Sequence, residues 1–248
     1  MAAVDSRLEL LFKHAVVGTR QQDHRRGKYT TLPAGCGFGG GRTSPGNYAN
    51  TAHNEPLVDA VLSDPAVQRV ARYVDAGLQT YWPKLHQFLS NLLEHILMDC
   101  PDIRRLFAGC CYGACHLNLH NAATLDHEDY YNILFALCAV YASGKYDHTR
   151  SGHLIAWSLG IVAQFPAGSA AFLPSACVTH ANTPIDSKSG EHRSSIAFFT
   201  SAGLARWYHN GYMSDKEFME RASPRQLSAW KDYRSRLWKA GLELLQYD

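Results

Sequence analysis

Between about residue 104 and residue 200 the chain runs through short β-forming stretches with no helices between them. The stretches are 115–120, 125–130, 132–142, 153–157, 160–165, 169–173, 176–180 and 192–200. Gly144, Gly152, the Pro166 to Gly168 turn and the Ser189-Gly190 pair punctuate them. Six to eight short strands in this arrangement predict an antiparallel sandwich or barrel.

The flanks read differently. Residues 3 to 17 predict a short amphipathic helix. Residues 20 to 54 are rich in Gly, Thr, Asn and Pro and have little apolar periodicity. They predict a long ordered or semi-ordered loop, and its length suggests function. Asp64-Pro65 then supplies a helix cap and a first-turn proline, followed at helical spacing by Val67, Val70, Val74, Leu78 and Tyr81. Pro83 opens a second helix with Leu85, Phe88, Leu89, Leu92, Leu93 and Ile96 on one face. Both stripes are expected to pack into the core. Past the strands, Ser214 and Glu217 form a capping box. Ser223-Pro224 starts a last helix carrying Leu227, Trp230, Leu237, Leu242 and Leu245. The fold class expected is α+β, one domain over 1–248. Residues 1–103 are helical and Gly-rich, 104–206 the β core, and 207–248 C-terminal helices.

Composition bounds the rest. With 46% hydrophobic and 19% charged residues, a chain of 248 residues is not intrinsically disordered. A net charge of +2 announces no nucleic-acid partner, though local charge can still bind one. Seven cysteines (36, 100, 110, 111, 115, 138, 177) at irregular spacing suggest a reducing compartment and structural thiols rather than a zinc site. The first residues carry an acid and a base inside their apolar stretch, so no signal peptide is expected. No run of 18 apolar residues occurs, so no membrane span is expected either. The expectation is a soluble intracellular protein.

The chemistry gathers around His127-Glu128-Asp129. On a strand, residues 127 and 129 face the same way, so an imidazole and a carboxylate converge. His180 lies at the end of another strand, about fifty residues on. Two histidines and one carboxylate are the facial triad of non-haem Fe(II) oxygenases. His-x-Asp alone is a weak motif; a third ligand within a β-rich frame strengthens it. Beyond it, Arg193 and Ser195 alternate on one face of the stretch HRSSIAFFTS. A guanidinium grips a carboxylate with two parallel hydrogen bonds, and a hydroxyl two residues on adds a third. That pair suits the far carboxylate of 2-oxoglutarate.

His-x-Asp…His…Arg-x-Ser in this order resembles the Fe(II)/2-oxoglutarate dioxygenases, whose fold is a double-stranded β-helix, or jelly roll. The likeness sharpens locally. His127-Glu-Asp129-Tyr-Tyr-Asn132 is similar to the H-x-D-x-x-N segment of the TET/JBP family of nucleic-acid base oxygenases. His180-Ala-Asn-Thr-Pro-Ile185 is similar to the H-A-T-T-P-L of animal TET enzymes, and Arg193-Ser-Ser195-Ile-Ala-Phe-Phe199 to their R-I-S-L-V-F-Y. The wider frame, roughly residues 27 to 218, resembles the compact TET/JBP-like proteins of mushroom-forming fungi. It includes Gly39-Gly40-Gly41, Pro45-Gly46-Asn47, Gly152-His153-Leu154, Pro174-Ser175-Ala176 and the tail from Ala202 to Trp207. The cysteine-rich zinc-binding segment of animal TETs has no counterpart, so zinc is not carried over.

The resemblance implies an enzyme that uses Fe(II), held by His127, Asp129 and His180, and 2-oxoglutarate, held by Arg193 and Ser195. His153, opening its strand, is a further candidate to face 2-oxoglutarate. The substrate implied is a methylated base in duplex DNA, 5-methylcytosine first. N6-methyladenine and thymine are the other methyl-bearing candidates. A methyl group inside a duplex cannot reach buried iron, so the base must be flipped out. Asn132 matches the family position that reads it. Phosphate contacts fall to Arg25, Arg26, Lys28 and Arg42, in a segment of residues 20–42 with a local charge of about +4. A solvated loop is the other reading of that segment. His116 and His120 are expected to be structural, and Tyr130 and Tyr131 either stack on a base or pack. A nuclear monomer is expected. Two other readings stay open. One is the same chemistry on a protein side chain or small molecule; the other is a catalytically dead DNA-binding module.

Overall fold

The computed structural model describes residues 2–186 and 190–246; Ser189 of the expected Ser189-Gly190 turn lies outside them. Two antiparallel sheets form the centre. The larger has six strands in the order β2 (Gly46–Asn47), β1 (Thr30–Gly37), β3 (Ala114–Leu119), β9 (His192–Phe199), β4 (Cys138–Lys145) and β7 (Ala170–Leu173). The smaller has three, in the order β6 (Ile161–Ala163), β5 (Leu154–Ala156) and β8 (His180–Asn182).

Alternation along the large sheet separates core from site. Cys115, Leu117 and Leu119 of β3, Ala139 and Tyr141 of β4, and Ile196 and Phe198 of β9 are buried in the main core. Their intervening neighbours point to the other face. There the register sets Asn118 opposite Ser195 and Ala142 opposite Ser195 from the other side. A period of two thus gives the same strands one core face and one cavity face that mixes polar with apolar side chains.

Helices cover the apolar face. α1 (Ala2–His14) and the single turn α2 (Thr19–Gln22) precede β1, and α3 (Asn54–Leu62), α4 (Pro65–Tyr81) and α5 (Pro83–Asp99) lie between β2 and β3. Asp64 caps α4, its Oδ1 accepting from Ala66 N at 2.8 Å. Val67, Val70, Val74 and Leu78 are buried as expected, as are Leu85, Leu89, Leu92, Leu93 and Ile96 of α5. Each such side chain is worth about 1.5–3 kcal/mol of burial. Tyr81, at the end of the expected α4 stripe, is instead exposed. After the strands come α6 (Ala202–His209), α7 (Asp215–Arg221) and α8 (Pro224–Leu244). The capping box forms as read: Ser214 Oγ accepts from Glu217 N and Glu217 Oε2 from Ser214 N. The expected α8 stripe stays half-buried at Leu227, Trp230, Leu237 and Leu245, and Leu242 is exposed.

Several expectations fail. The segment from 20 to 54 is not a loop throughout, because β1 runs through it and pairs with β3 along six residue positions. Pro33 is tolerated because its carbonyl accepts from Asn50 Nδ2 at 2.8 Å, on the edge away from β3, so its missing N–H costs no ladder bond. Gly35 sits at φ +91°, where a Cβ would come within 2.3 Å of Gly113 O. The stretch 125–130 is not a strand; it makes one isolated bridge, His127 with His180. Regular pairing in 132–142 starts only at Cys138, and 176–180 is a turn that ends where β8 begins.

Candidate metal centre and substrate cleft

His127 and His180 meet through their backbones. His127 N donates to His180 O at 3.1 Å, and His180 N to His127 O at 3.0 Å. This bridge, rather than strand alternation, sets the rings with their centroids 4.3 Å apart. Each ring is then fixed by the same local device. Nδ1 of His127 donates to Leu125 O at 2.8 Å, and Nδ1 of His180 to Val178 O at 2.8 Å. A carbonyl only accepts, so the proton sits on Nδ1 and the Nε2 lone pair is left for a ligand. Asp129 completes the group, with Oδ1 3.7 Å from His127 Nε2 and Oδ2 3.9 Å from His180 Nε2. Its backbone N donates to Ser175 O at 2.8 Å.

All three ligand atoms lie within 4.8 Å of one another. Burial, then the neighbouring His180, pushes the His127 pKa down from its ordinary value, favouring the neutral ring that a metal needs. Two imidazoles with Nε2 turned inward and a carboxylate on one side of a point fit non-haem Fe(II).

The residues lie in a cavity between the two sheets, with Leu154 and Asn182 from the small sheet and Val140, Ser195 and Ala197 from the large one. Behind its Ser195 end is Arg193, 1% exposed. Nη1 donates to Ala122 O at 2.6 Å and the Tyr146 hydroxyl lies close enough to interact with the guanidinium, while Nε and Nη2 make no well-formed hydrogen bond among the described residues. Burial pushes its pKa down, yet a guanidinium keeps its charge at any ordinary pH. A buried charge with two unsatisfied donors is costly unless an anion meets it, and Nε with Nη2 is a two-pronged face for a carboxylate. Ser195 Oγ, two positions on, accepts from Asn118 Nδ2 at 3.2 Å. The donor set therefore fits a carboxylate cosubstrate beside a metal.

The Gly152-His153-Leu154 stretch contributes other residues than expected. A Cβ on Gly152 would lie 2.7 Å from the Tyr146 ring and 3.3 Å from Arg193 Cδ, so glycine is what lets this strand approach the guanidinium. Leu154 lines the cavity. His153 does not; its N and O bond Thr183 at 2.8 and 3.0 Å.

The cavity opens into a cleft of about 420 Å³, a size typical of small-ligand sites. Asp129, Asn132, His116 and Arg26 line both. Of the expected substrate residues, Asn132, Arg25, Arg26 and Arg42 come together here. Lys28 does not: it is exposed and 3.8 Å from Asp23. Arg42 is largely committed to the backbone of β2, donating to Gly46 O at 2.7 Å and Asn47 O at 3.1 Å. Arg25 donates to Glu128 O at 2.9 Å and lies over the Tyr130 ring. Asn132 is buried; its Nδ2 donates to Cys138 Sγ and Ser175 Oγ, and its Oδ1 has no partner among the described residues. Tyr131, 76% exposed, lines the cleft mouth.

Sequence reasoning missed three residues. Tyr29 is buried in the cavity, its hydroxyl without a partner among the described residues, and its pKa is raised by burial. Asn118 links Ser195 to Thr31, which donates to Asn118 Oδ1 at 2.9 Å. His116, expected to be structural, stands in the wall and meets Arg26 Nη1 at 3.2 Å through Nδ1. Burial and then Arg26 push its pKa down to about 3, so the neutral ring accepts from the guanidinium and orients it. The one available signal was the alternation His116-Leu-Asn118-Leu.

Two other places bear on the assignment. A hollow of about 480 Å³ between Asn47, Glu55, Asp59 and Arg104 shares only Tyr48 with the cleft, and Arg104 pairs with its own carboxylates. Asp75, His86 and Cys111 also converge, but Asp75 Oδ1 already accepts from His86 Nε2 at 3.0 Å and Cys111 N at 2.9 Å. That group is a satisfied staple between α4, α5 and the chain entering β3. All seven cysteines are free thiols. No helix among the described residues is long and apolar enough to cross a membrane.

No family model matches the chain, and no curated protein matches it by sequence. An oxidoreductase of the 2OG-Fe(II) oxygenase family from Burkholderia pseudomallei overlays on 78% of this chain and 75% of its own, with 15% identity and a TM-score of 0.39. NgTET1 in complex with 5mC DNA overlays on 82% of this chain and 69% of its own, with 14% identity and a TM-score of 0.57. The cavity between the two antiparallel sheets therefore sits in a fold similar to that of NgTET1.

Proposed function

We propose that the chain is an Fe(II)- and 2-oxoglutarate-dependent dioxygenase of a methylated base, 5-methylcytosine first, flipped out of duplex DNA. On this reading the two sheets are the walls of a double-stranded β-helix. The observation that carries it is a buried guanidinium with two unpartnered donors behind a cavity whose wall holds two Nε2-free histidines and a carboxylate. Bound iron with 2-oxoglutarate and O2 supplies oxidation of a C–H bond, with 2-oxoglutarate becoming succinate.

The chain does the rest. His127, Asp129 and His180 hold the metal from one side. Arg193 grips the far carboxylate of 2-oxoglutarate, and Ser195, held by Asn118, adds a hydroxyl. Asn132 Oδ1 offers an acceptor beside Asp129, which suits the exocyclic amine of cytosine or adenine; thymine has none. Arg25 and Arg26 bring positive charge to the cleft, where phosphates pass. Likeness to a protein seen with 5mC DNA adds to this choice of substrate.

Mass spectrometry of a methylated duplex, incubated with and without 2-oxoglutarate, tests the reading. Oxidised base should appear only with 2-oxoglutarate. His127→Ala and Asp129→Ala should lose bound iron and product while keeping their circular dichroism. Succinate release with no DNA oxidation would move the substrate to a protein or small molecule, and product from iron-depleted variants would remove the triad.

A further inference from the structure

Exposed apolar side chains concentrate on one hairpin next to the metal-side residues. β5 and β6 are joined by a 3-10 turn, Trp157–Leu159, and Gly160 at φ +64°. Trp157, Leu159, Ile161 and Val162 are 54%, 57%, 51% and 64% exposed. All of β6 faces solvent. Residues 154 to 163 include no charged side chain.

The tip is hydrogen-bonded to the chain just ahead of both histidines. Trp157 Nε1 donates to Asp126 Oδ1 at 2.6 Å, and Asp126 directly precedes His127. Trp157 N donates to Thr179 O at 2.8 Å and Thr179 N to Ser158 Oγ at 3.0 Å, and Thr179 directly precedes His180. Leu125, 64% exposed, continues the apolar surface one residue before Asp126. A solvent-facing apolar ridge tied to both histidine segments marks an interaction surface.

We infer that this hairpin tip is a wedge that packs into the base stack of duplex DNA beside the extruded nucleotide, an inference that rests on the cleft holding a flipped base. Charge sorts the contacts. The guanidinium groups that suit phosphates are those of Arg25 and Arg26 in the cleft, whereas the hairpin from 154 to 163 carries no charge and exposes apolar side chains, which complement base faces rather than backbone. Apolar side chains inserted at a base step offset the unstacking that flipping requires. Attachment to the metal-bearing segments fixes the wedge at one distance from the reacting base, which a general sticky patch would not need.

The test replaces Leu159 and Ile161 with Ser together and leaves Trp157, which bonds Asp126, untouched. Duplex DNA carries 2-aminopurine beside the methylated cytosine, so its fluorescence reports unstacking without chemistry. The double variant should lose the wild-type fluorescence rise and oxidise the paired duplex about tenfold more slowly, while the same base in a mismatch or single strand, already unstacked, changes less than about twofold. Leu159→Met, which keeps apolar bulk, should retain wild-type behaviour. Unchanged duplex oxidation and fluorescence in the double variant would sink the wedge alone. Equal loss on paired and unpaired substrates would sink it too, as would a wild-type dimer in sedimentation that the substitutions dissociate. A wild-type protein that neither unstacks nor oxidises any DNA overturns the cleft reading, and the wedge with it.

Discussion

Replacing Arg193 with Lys separates charge from geometry at the buried guanidinium proposed to hold the cosubstrate. The guanidinium is 1% exposed, with one donor spent on Ala122 O and two adjacent donors unpartnered. Lys keeps the positive charge but cannot present two parallel N–H groups. One charge-assisted hydrogen bond is lost, worth about 1.5–3 kcal/mol. Affinity for 2-oxoglutarate should fall by roughly ten- to a hundredfold, since each 1.4 kcal/mol is about a factor of ten. Thermal shift reads this without turnover, using Mn(II) in place of iron. At a hundred times the wild-type Kd, ligand stabilises the folded state by about 2.7 kcal/mol. At about 2–4 °C per kcal/mol for a chain of this size, that is roughly 5–10 °C. A thirtyfold weaker variant keeps only about 0.9 kcal/mol at the same concentration, or about 2–4 °C. KM for 2-oxoglutarate, followed as succinate, should rise in parallel. A variant whose thermal shift and KM match the wild type would remove Arg193 from the cosubstrate site and leave its unpartnered donors unexplained.

Two further outcomes follow from the cavity wall. His116 has a folded pKa of about 3 against an ordinary 6.5, so between those values the unfolded chain binds a proton that the folded one refuses. Stability is therefore full above about pH 6.5 and falls as pH drops towards 3, by up to about 1.4 kcal/mol per unit. His116→Asn should flatten the urea-denaturation difference between pH 7 and 5, and undiminished acid sensitivity would contradict the assignment. Asn132→Ala should cost on the order of 1 kcal/mol, roughly tenfold in kcat/KM on methylated DNA, while succinate formed without DNA persists. Equal loss of both turnovers with a lower Tm would mark Asn132 as only a brace for Ser175 and Cys138.

The fold was legible where local pattern decides it. α4 and α5 announce themselves because apolar residues recur at helical spacing behind prolines. β9 does so as a short run rich in strand formers, buried almost continuously along its eight residues. β1 was hidden because Pro33 and Gly35 read as turn residues, and both are licensed only by tertiary context. Pro33 points its missing donor at an edge, and Gly35 meets the Gly113 carbonyl. No local pattern carries either fact.

The site divides the same way. The sequence singled out His127, Asp129 and His180 by residue type, and the structure brings their ligand-type atoms within 4.8 Å of one another. How they meet could not be read there. The expected mechanism was strand alternation at 127 and 129, yet the segment is no strand. Convergence comes instead from a single bridge between His127 and His180, and from each Nδ1 reaching back two residues to a carbonyl. A backbone carbonyl exists whatever side chain stands at 125 or 178, so neither Leu125 nor Val178 signals the contact. Both anchors depend on the curvature of the chain ahead of each histidine. They fix the tautomer as well as the ring, and that turns two imidazoles of undetermined protonation into two Nε2 donors facing one carboxylate.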